Sequence, residues 1–400
     1  MSRTSGWRDV ALLSACWGSA TTGVVLVASV SSLVGNMLAT DKSLATLPIA
    51  CSWGGTTLFT VIASHLMRHI GRRAGFITGA GIGMAGAVIC AAAIYLASFW
   101  LFCAGTALLG GYNAFNNYYR FAAAEAVTAE RRSRAISMVM AGGLIAAFIG
   151  PLLARLTKEL LMPYDFAGVF IGLIGLAVLA VLMLQFVHVP RPSAHEIAGP
   201  QRPLGVIVRQ PVFLVAAASG GLGYGVMILL MSVTPLSMVQ HSHSFADAAF
   251  VIQWHVLGMF APSFFTGHLI KRFGVPQIML TGAVCNVLCI VIATSGTTVW
   301  HYWSALTLVG LGWNFLFVGA TTLLPQTYTV AERAKAQATN EFLVFGFAGL
   351  ASFFGGNILY NLGWTVLNLV ALPFIAIVSV AVLWLMLRKS PKTAPVAAGE

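Results

Sequence analysis

The chain has 400 residues, of which 58% are hydrophobic and only 8% are charged, and its mean hydropathy is +0.87. A soluble domain carries roughly 25% charged residues, so this composition excludes an ordinary soluble protein. The formal net charge of +11 would suit a nucleic-acid-binding surface. The positions of the basic residues, described below, explain that charge without nucleic acid as a partner.

Apolar runs of about 20 residues, each long enough to cross the roughly 30 Å hydrocarbon core of a bilayer, recur along the whole chain. Because the runs are continuous rather than alternating, they indicate helices and exclude a transmembrane barrel. The first run is too long for a signal-peptide core, so we expect it to be retained. The predicted spans are 9–36, 45–67, 75–97, 99–124, 135–156, 166–188, 211–239, 246–270, 276–296, 300–324, 335–360 and 363–387.

Lysine and arginine are distributed unequally between the loops on the two sides of these spans. With the N-terminus in the cytoplasm, the cytoplasmic segments hold 18 of these residues and the outer segments hold three, with Arg120 inside a span. The positive-inside rule therefore predicts a multi-pass protein with both termini in the cytoplasm.

The second half of the chain repeats the first. Three matches occur in order at one offset of about 202 residues, and they pair Gly71 with Gly274, Asn113 with Asn314, and Glu130 with Glu332. Such a repeat is expected of one large class of transporters. We predict an all-α integral membrane fold of twelve helices in two pseudo-symmetric six-helix bundles, with this division: bundle 1–189, cytoplasmic linker 190–210, bundle 211–390 and cytoplasmic tail 391–400.

Two motifs carry a resemblance to the major facilitator superfamily. The loop "SHLMRHIGRRAG" resembles the family's G-x-L-a-D-R-x-G-R-K motif, and "AAAEAVTAERRSRA" resembles its D-x-x-x-x-E-R element. The resemblance extends along nearly the whole chain and implies a cytoplasmic latch formed by Glu125 with Arg72, Arg73 and Arg131. The chain departs from the family pattern at the motif's aspartate, which is Arg68 here. It also lacks the span-four arginine of the drug antiporters, which argues against a standard drug/proton antiporter.

The fourth span carries an unusual polar face. Asn113, Asn116, Asn117 and Arg120 are spaced so that they share one side of a helix, and Tyr112 and Tyr119 flank them. The resemblance implies that spans one, four, seven and ten line a central cavity, so we expect this face to contact solute. Two alternatives stay open: Arg120 extends to the inner headgroups, and the asparagines form interhelical hydrogen bonds.

Further cavity candidates are aromatic or repeat-matched. Interior aromatic residues bind ligands that contain rings, although many such residues only pack. These candidates, on or near the predicted cavity spans, are Trp17, Tyr224, Trp254, Trp313 and Asn314.

Two titratable residues inside spans are candidates for proton coupling. Glu341 lies about two turns into span eleven, and its alternative role is a structural ion pair. His255 lies in span eight, and its alternative role is that of a packed, hydrogen-bonded histidine. His241 and His243 in an outer loop lack a third ligand, so no metal site is predicted.

These observations predict a secondary active transporter that works by alternating access, without ATP, cofactor or catalytic activity. One cation and several amides in the cavity favour an anionic or zwitterionic organic solute, moved with coupling to protons. The expected partners are this solute, membrane lipid and protons, and the expected state is a monomer. The alternative function is proton-coupled efflux of hydrophobic toxic compounds, and a receptor that binds without transporting is also left open.

Overall fold

The computed structural model describes residues 5–128, 132–188, 200–329 and 331–388, and within these residues the chain is helical, with no strand. Two short 3₁₀ turns lie at Lys42–Leu44 and Leu324–Thr327. The α-helices are α1 (Ser5–Leu38), α2 (Leu47–Ile70), α3 (Arg72–Tyr95), α4 (Phe99–Asn116), α5 (Tyr119–Glu125), α6 (Arg132–Ala141), α7 (Gly143–Thr157), α8 (Ala167–Leu184), α9 (Leu204–Val208), α10 (Pro211–Gln240), α11 (Phe245–Phe260), α12 (Ser263–Phe273), α13 (Val275–Ser295), α14 (Val299–Leu323), α15 (Arg333–Val370) and α16 (Leu372–Leu387).

Nine helical segments within the described residues are long and apolar enough to cross a membrane, or ten if α11 and α12, which meet at a bend of 41°, form one span. Several predicted spans are not single helices. The fourth span divides between α4 and α5, and the last two share one apolar segment, Lys335–Leu387, which is kinked at Gly363, a non-helical residue with a φ of 81°. The all-helical membrane fold is confirmed, and the number twelve stays a prediction.

The repeat has a structural counterpart in two tight turns. Gly71 joins α2 to α3 with a φ of 88°, and Gly274 joins α12 to α13 with a φ of 95°. Each glycine N–H closes the preceding helix, on the carbonyl of Met67 and Ile270 respectively. Positive φ favours glycine because it has no Cβ, which explains why the sequence keeps a glycine at both matched positions.

Helices from the two repeated parts of the chain pack against each other, most extensively α2 with α15, α7 with α11 and α1 with α10. At the predicted outer end, the Thr46 hydroxyl donates to the Ser352 carbonyl at 2.6 Å and accepts from the Gly356 N–H at 2.9 Å. Nearby, the rings of Phe166 and Phe245 lie 5.8 Å apart. These contacts join the two parts on that side, while the division into two bundles stays a prediction.

The described end of the linker is fastened to the second part of the chain. Glu332 is buried, and the Arg202 guanidinium donates to both of its carboxylate oxygens, at 2.8 and 2.6 Å. The backbone N–H groups of Arg202 and Thr329 donate to the same carboxylate at 2.7 and 2.9 Å. The Glu332 carboxylate therefore connects Arg202, which precedes α10, and Thr329, which follows α14, to the residue that precedes α15.

Candidate functional site

A central cavity lies between the two parts of the chain and has a volume of about 810 Å³, including space open to solvent. Its lining comes from α1, α2, α4, α5, α6, α10, α11, α14 and α15. Most lining side chains are apolar, as in typical small-molecule sites. The predicted site residues that line it are Trp17, Asn113, Asn117, Arg120, Tyr224, Trp313 and Glu341.

An ion pair crosses this cavity. Arg120 Nη2 lies 3.0 Å from Glu341 Oε2, and the two side chains are only 8% and 12% exposed. Arg120 comes from the start of α5 and Glu341 from α15, so the two candidate charges come from opposite repeats and meet in one place. Among the described residues that line the cavity, these two are the only charged ones, and their charges cancel.

Five aromatic residues, here called the aromatic cluster, form one side of the cavity. Trp53 stacks on Phe345 with centroids 5.8 Å apart, and Trp313 stacks on Phe317 at 4.9 Å. Tyr224 lies between the two stacks and makes edge contacts to both, at 5.5 Å to Trp53 and 5.5 Å to Trp313. These separations are typical of favourable ring contacts. The cluster presents ring faces and edges to any planar solute.

Sequence reasoning missed three members of the aromatic cluster. Trp53 lies on the second predicted span and Phe345 on the eleventh, which are outside the four cavity spans that the resemblance implies. Phe317 follows Trp313 by four residues, a spacing that places two side chains on the same helix face. That spacing alone could have identified it.

Several hydrogen-bond donors at the cavity are buried and have no partner among the described residues. They are Trp17 Nε1, Trp313 Nε1, Asn117 Nδ2 and Arg120 Nε. Buried donors without an acceptor are unfavourable, typically by about 1–3 kcal/mol each. A solute that offers acceptors to this cavity would therefore recover hydrogen bonds that the protein alone does not make.

The polar face predicted for the fourth span is divided in the structure. Helix α4 ends at Asn116 and α5 begins at Tyr119, and Asn113, Asn117 and Arg120 line the central cavity across this break. Tyr112 and Asn116 line a smaller adjoining cavity of about 550 Å³. Tyr119 is fully buried against Phe76, at 4.3 Å between ring centroids, and lies away from both cavities.

Asn314 makes interhelical hydrogen bonds and is not among the described residues that line the cavity. Its amide donates at 2.7 Å to the Met259 carbonyl and to the Ser263 hydroxyl, and its oxygen accepts from Thr266 at 2.7 Å. These partners flank the bend between α11 and α12, where regular helix bonding is interrupted. The matched Asn113 likewise contacts the second helix of its own repeat, through Thr56 at 3.4 Å.

The two candidates on α11 also lie away from the cavity. Trp254 is 38% exposed and packs against Trp303, 5.6 Å away, on the outside of the protein. His255 is fully buried, and its Nδ1 donates to the Leu306 carbonyl at 2.8 Å. The face of α11 that does reach the cavity carries Ile252, Val256, Met259 and Phe260. The direction of this face follows from packing against α14 and was not evident in the sequence.

The predicted cytoplasmic latch is only partly within the described structure. Arg72 lies over the Tyr118 ring at 5.4 Å, and Arg73 donates to the side chain of Gln185. Arg131 and the side chain of Glu125 lie outside the described residues. The latch therefore stays a prediction.

Comparisons with known proteins agree with this architecture. The family model of the Major Facilitator Superfamily matches residues 10–253 and 223–400. A riboflavin transporter named RfnT, from Brucella anthropi, is 42% identical over 393 residues, which cover 98% of each chain. Two transporters of the same type from Bacillus subtilis, the uncharacterized YdeG and YddS, are 27% and 25% identical, over 84% and 90% of this chain and 81% and 87% of their own lengths.

Proposed function

Because the chain belongs to the major facilitator superfamily, we propose that its solute is riboflavin or a flavin of the same size, moved by alternating access. The chain is a multi-pass membrane transporter of a small molecule and not an enzyme. A relative with 42% identity over almost the whole length carries riboflavin in its name. The cavity of this chain has three features that bear on such a solute: its rings, its free donors and its ion pair.

The observation that carries the proposal is the aromatic cluster beside unpartnered donors. A flavin is a planar three-ring system whose pyrimidine edge carries several hydrogen-bond acceptors. In the pairs Trp53–Phe345 and Trp313–Phe317, the two ring centroids lie 5.8 and 4.9 Å apart and the rings are stacked. A flavin ring could stack in the same way on a ring face that the cavity leaves open. The buried donors of Trp17, Asn117 and Arg120, which have no partner among the described residues, suit the acceptor edge.

The ion pair changes the expected charge of the solute. The sequence favours an anionic or zwitterionic compound only as long as Arg120 is an unopposed cation. In the structure Glu341 lies 3.0 Å from that arginine. An uncharged solute such as riboflavin therefore suits the cavity better than an anion.

Proton coupling, membrane and orientation are also part of this proposal. Glu341 is a better candidate for the proton carrier than His255, because Glu341 lines the cavity whereas His255 is fully buried and does not. We place both termini in the cytoplasm on the distribution of basic residues. We place the protein in a bacterial inner membrane, in contact with lipid and as a monomer; the bacterial sources of the relatives support the membrane assignment.

Binding of riboflavin to the purified protein tests the solute. Stacking on aromatic side chains quenches flavin fluorescence, so a titration gives the dissociation constant directly. Trp313→Ala removes one stacked pair and should weaken binding about tenfold, or about 1.4 kcal/mol. Trp254→Ala removes a tryptophan outside the cavity and should change binding less than about twofold. Absence of riboflavin binding to the unmodified protein would refute the proposal.

Exchange in proteoliposomes separates transport of flavin from the alternatives. Labelled riboflavin should accumulate by counterflow when unlabelled riboflavin is trapped inside. A receptor would bind the flavin without exchange. An efflux pump for hydrophobic compounds would exchange such compounds and leave riboflavin outside.

A further inference from the structure

We infer that Glu341 makes the cavity selective for an uncharged flavin against its phosphate ester, because it neutralises Arg120. The inference rests on the proposed function and deepens it, since it names the solute class that the site excludes. It assigns Glu341 a role in specificity, which is distinct from carrying a proton.

The geometry leaves no net charge in the cavity. Arg120 and Glu341 are in contact at 3.0 Å and are almost fully shielded from solvent. The other described lining residues are uncharged, and most are apolar or aromatic. Such surroundings screen charge weakly, so an ion that enters meets either a matching counter-charge or a desolvation penalty.

A phosphate monoester carries roughly −1.5 to −2 charges at neutral pH. To bind its phosphate, Arg120 would have to leave Glu341, and the carboxylate would then lie unpaired and buried beside a second anion. Breaking a buried pair in this way is strongly unfavourable. An uncharged ribityl chain makes no such demand. Glu341 is thus a repulsive element directed against one ligand, which is how many sites achieve specificity.

Two further arginines lie near the cavity and do not line it. Arg333 lies over the Phe121 ring at 5.6 Å, and Arg72 lies over Tyr118 at 5.4 Å. Arg333 provides a matched control because it is a nearby cation from the same helix as Glu341. If the total positive charge near the cavity determined the preference between riboflavin and its ester, substitution of Arg333 would change that preference as much as substitution of Glu341.

The test compares riboflavin with its 5′-phosphate ester by fluorescence quenching at about pH 8, where the phosphate is close to doubly ionised. We expect the unmodified protein to bind riboflavin at least about tenfold more tightly than the ester. Glu341→Gln should shift the ratio of the two dissociation constants toward the ester at least about tenfold. Arg333→Gln should keep the original ratio.

The double variant Arg120→Gln with Glu341→Gln leaves no buried charge unpaired, and it should still reject the ester because no cation is free to bind it. This variant decides the matter if Glu341→Gln alone does not fold. Equal binding of both flavins by the unmodified protein or by the double variant would overturn the inference while leaving the proposed function intact. An unchanged ratio in folded Glu341→Gln, or a changed ratio in Arg333→Gln, would also overturn it. If the unmodified protein does not bind riboflavin, the proposed function itself fails.

Discussion

Glu332, which immediately precedes α15, and Glu341, nine positions later inside that helix, both pair with arginine, but their surroundings differ. Glu332 accepts hydrogen bonds from the Arg202 side chain and from two backbone N–H groups, so its carboxylate is fully satisfied. Glu341 has a 3.0 Å contact with Arg120 inside a cavity. The first arrangement fixes a loop in place, whereas the second can be exchanged for contacts with a solute.

Glu332 should make stability depend on pH. The Arg202 guanidinium, followed by the backbone N–H of Thr329, holds the pKa of the Glu332 carboxyl well below its usual range. A carboxyl with a depressed pKa stabilises the folded protein fully above its ordinary pKa of about 4.3, and this contribution is lost as the pH falls below that value. We therefore expect Glu332→Gln to lower the melting temperature near pH 7, and the difference from the unmodified protein to shrink toward pH 3.

Thermal unfolding in detergent across about pH 7 to 3 measures this effect. The control is Glu159→Gln, because Glu159 is exposed and its ion pair is with its neighbour Lys158. That substitution should not change the melting temperature at any pH. A difference for Glu332→Gln that stays constant down to pH 3 would contradict the prediction.

At the scale of helices, the two glycine turns show that the sequence repeat has a matching backbone conformation in both halves. Gly71 and Gly274 have φ values of 88° and 95°, and each lies between two helices that it joins directly. With ψ values of 163° and 154°, both lie in a region that is almost exclusive to glycine, where a residue with a Cβ is disfavoured by about 1–3 kcal/mol. The two turns therefore depend on the absence of a Cβ at Gly71 and at Gly274.

Gly71→Ala and Gly274→Ala should each destabilise the protein, by about 1–3 kcal/mol, and by similar amounts because their backbone conformations match. Gly81→Ala is the control, since a Cβ at Gly81, in the interior of α3, would meet open space. That substitution should leave stability unchanged or raise it slightly. Chemical or thermal unfolding in detergent checks all three variants, and equal stability of the Gly71 and Gly81 variants would contradict the prediction.

Helices and their order could be predicted from the sequence because long apolar runs and basic loops are local signals. The cavity was only partly predictable, because it depends on which side of each helix faces inward. The interruption between Asn116 and Tyr119 separates Asn116 from Arg120. Asn314 donates hydrogen bonds to residues at the bend between α11 and α12 and is not among the described residues that line the cavity. Apolar residues surround these helices on all sides, so no stripe marks the inner face.

The ion pair shows a further limit of single-sequence reasoning. Arg120 and Glu341 can each be recognised as a charge at membrane depth, because such charges are rare and need a reason. Their contact joins positions 221 residues apart in the chain. Nothing in the local sequence of either one indicates the other, and only the packing of α5 and α15 across the cavity does.

For the whole molecule, alternating access requires that contacts at one end break while those at the other end form. The predicted outer end is held by Thr46, whose hydroxyl bonds to Ser352 and Gly356 on α15. At the other end, Arg333 on α15 contacts Phe121 at 5.6 Å. The same long helix therefore takes part in closure at both ends.

Thr46→Val should shift the protein toward the state that is open on the predicted outer side. Valine has nearly the same shape as threonine but makes neither hydrogen bond, and two such bonds contribute about 2 kcal/mol together. Labelling of a cysteine introduced at Val24, in the cavity lining, by a membrane-impermeant thiol reagent added outside should become at least about tenfold faster.

Thr46→Ser keeps the hydroxyl and should label at the original rate. The same chain without the introduced cysteine gives the background from the six native cysteines. Equal labelling rates for the valine and serine variants would show that these bonds do not hold the outer end closed.

The ion pair also carries information about the history of the chain. At the repeat offset, the counterpart of Arg120 is Thr321 or Thr322 and that of Glu341 is Val139, so neither charge has a duplicate in the other half. Two identical halves would carry each charge twice or not at all. The present arrangement, with the cation in one half and the anion in the other, therefore reflects divergence of the two halves, and a copy of either half alone would supply only one member of the pair.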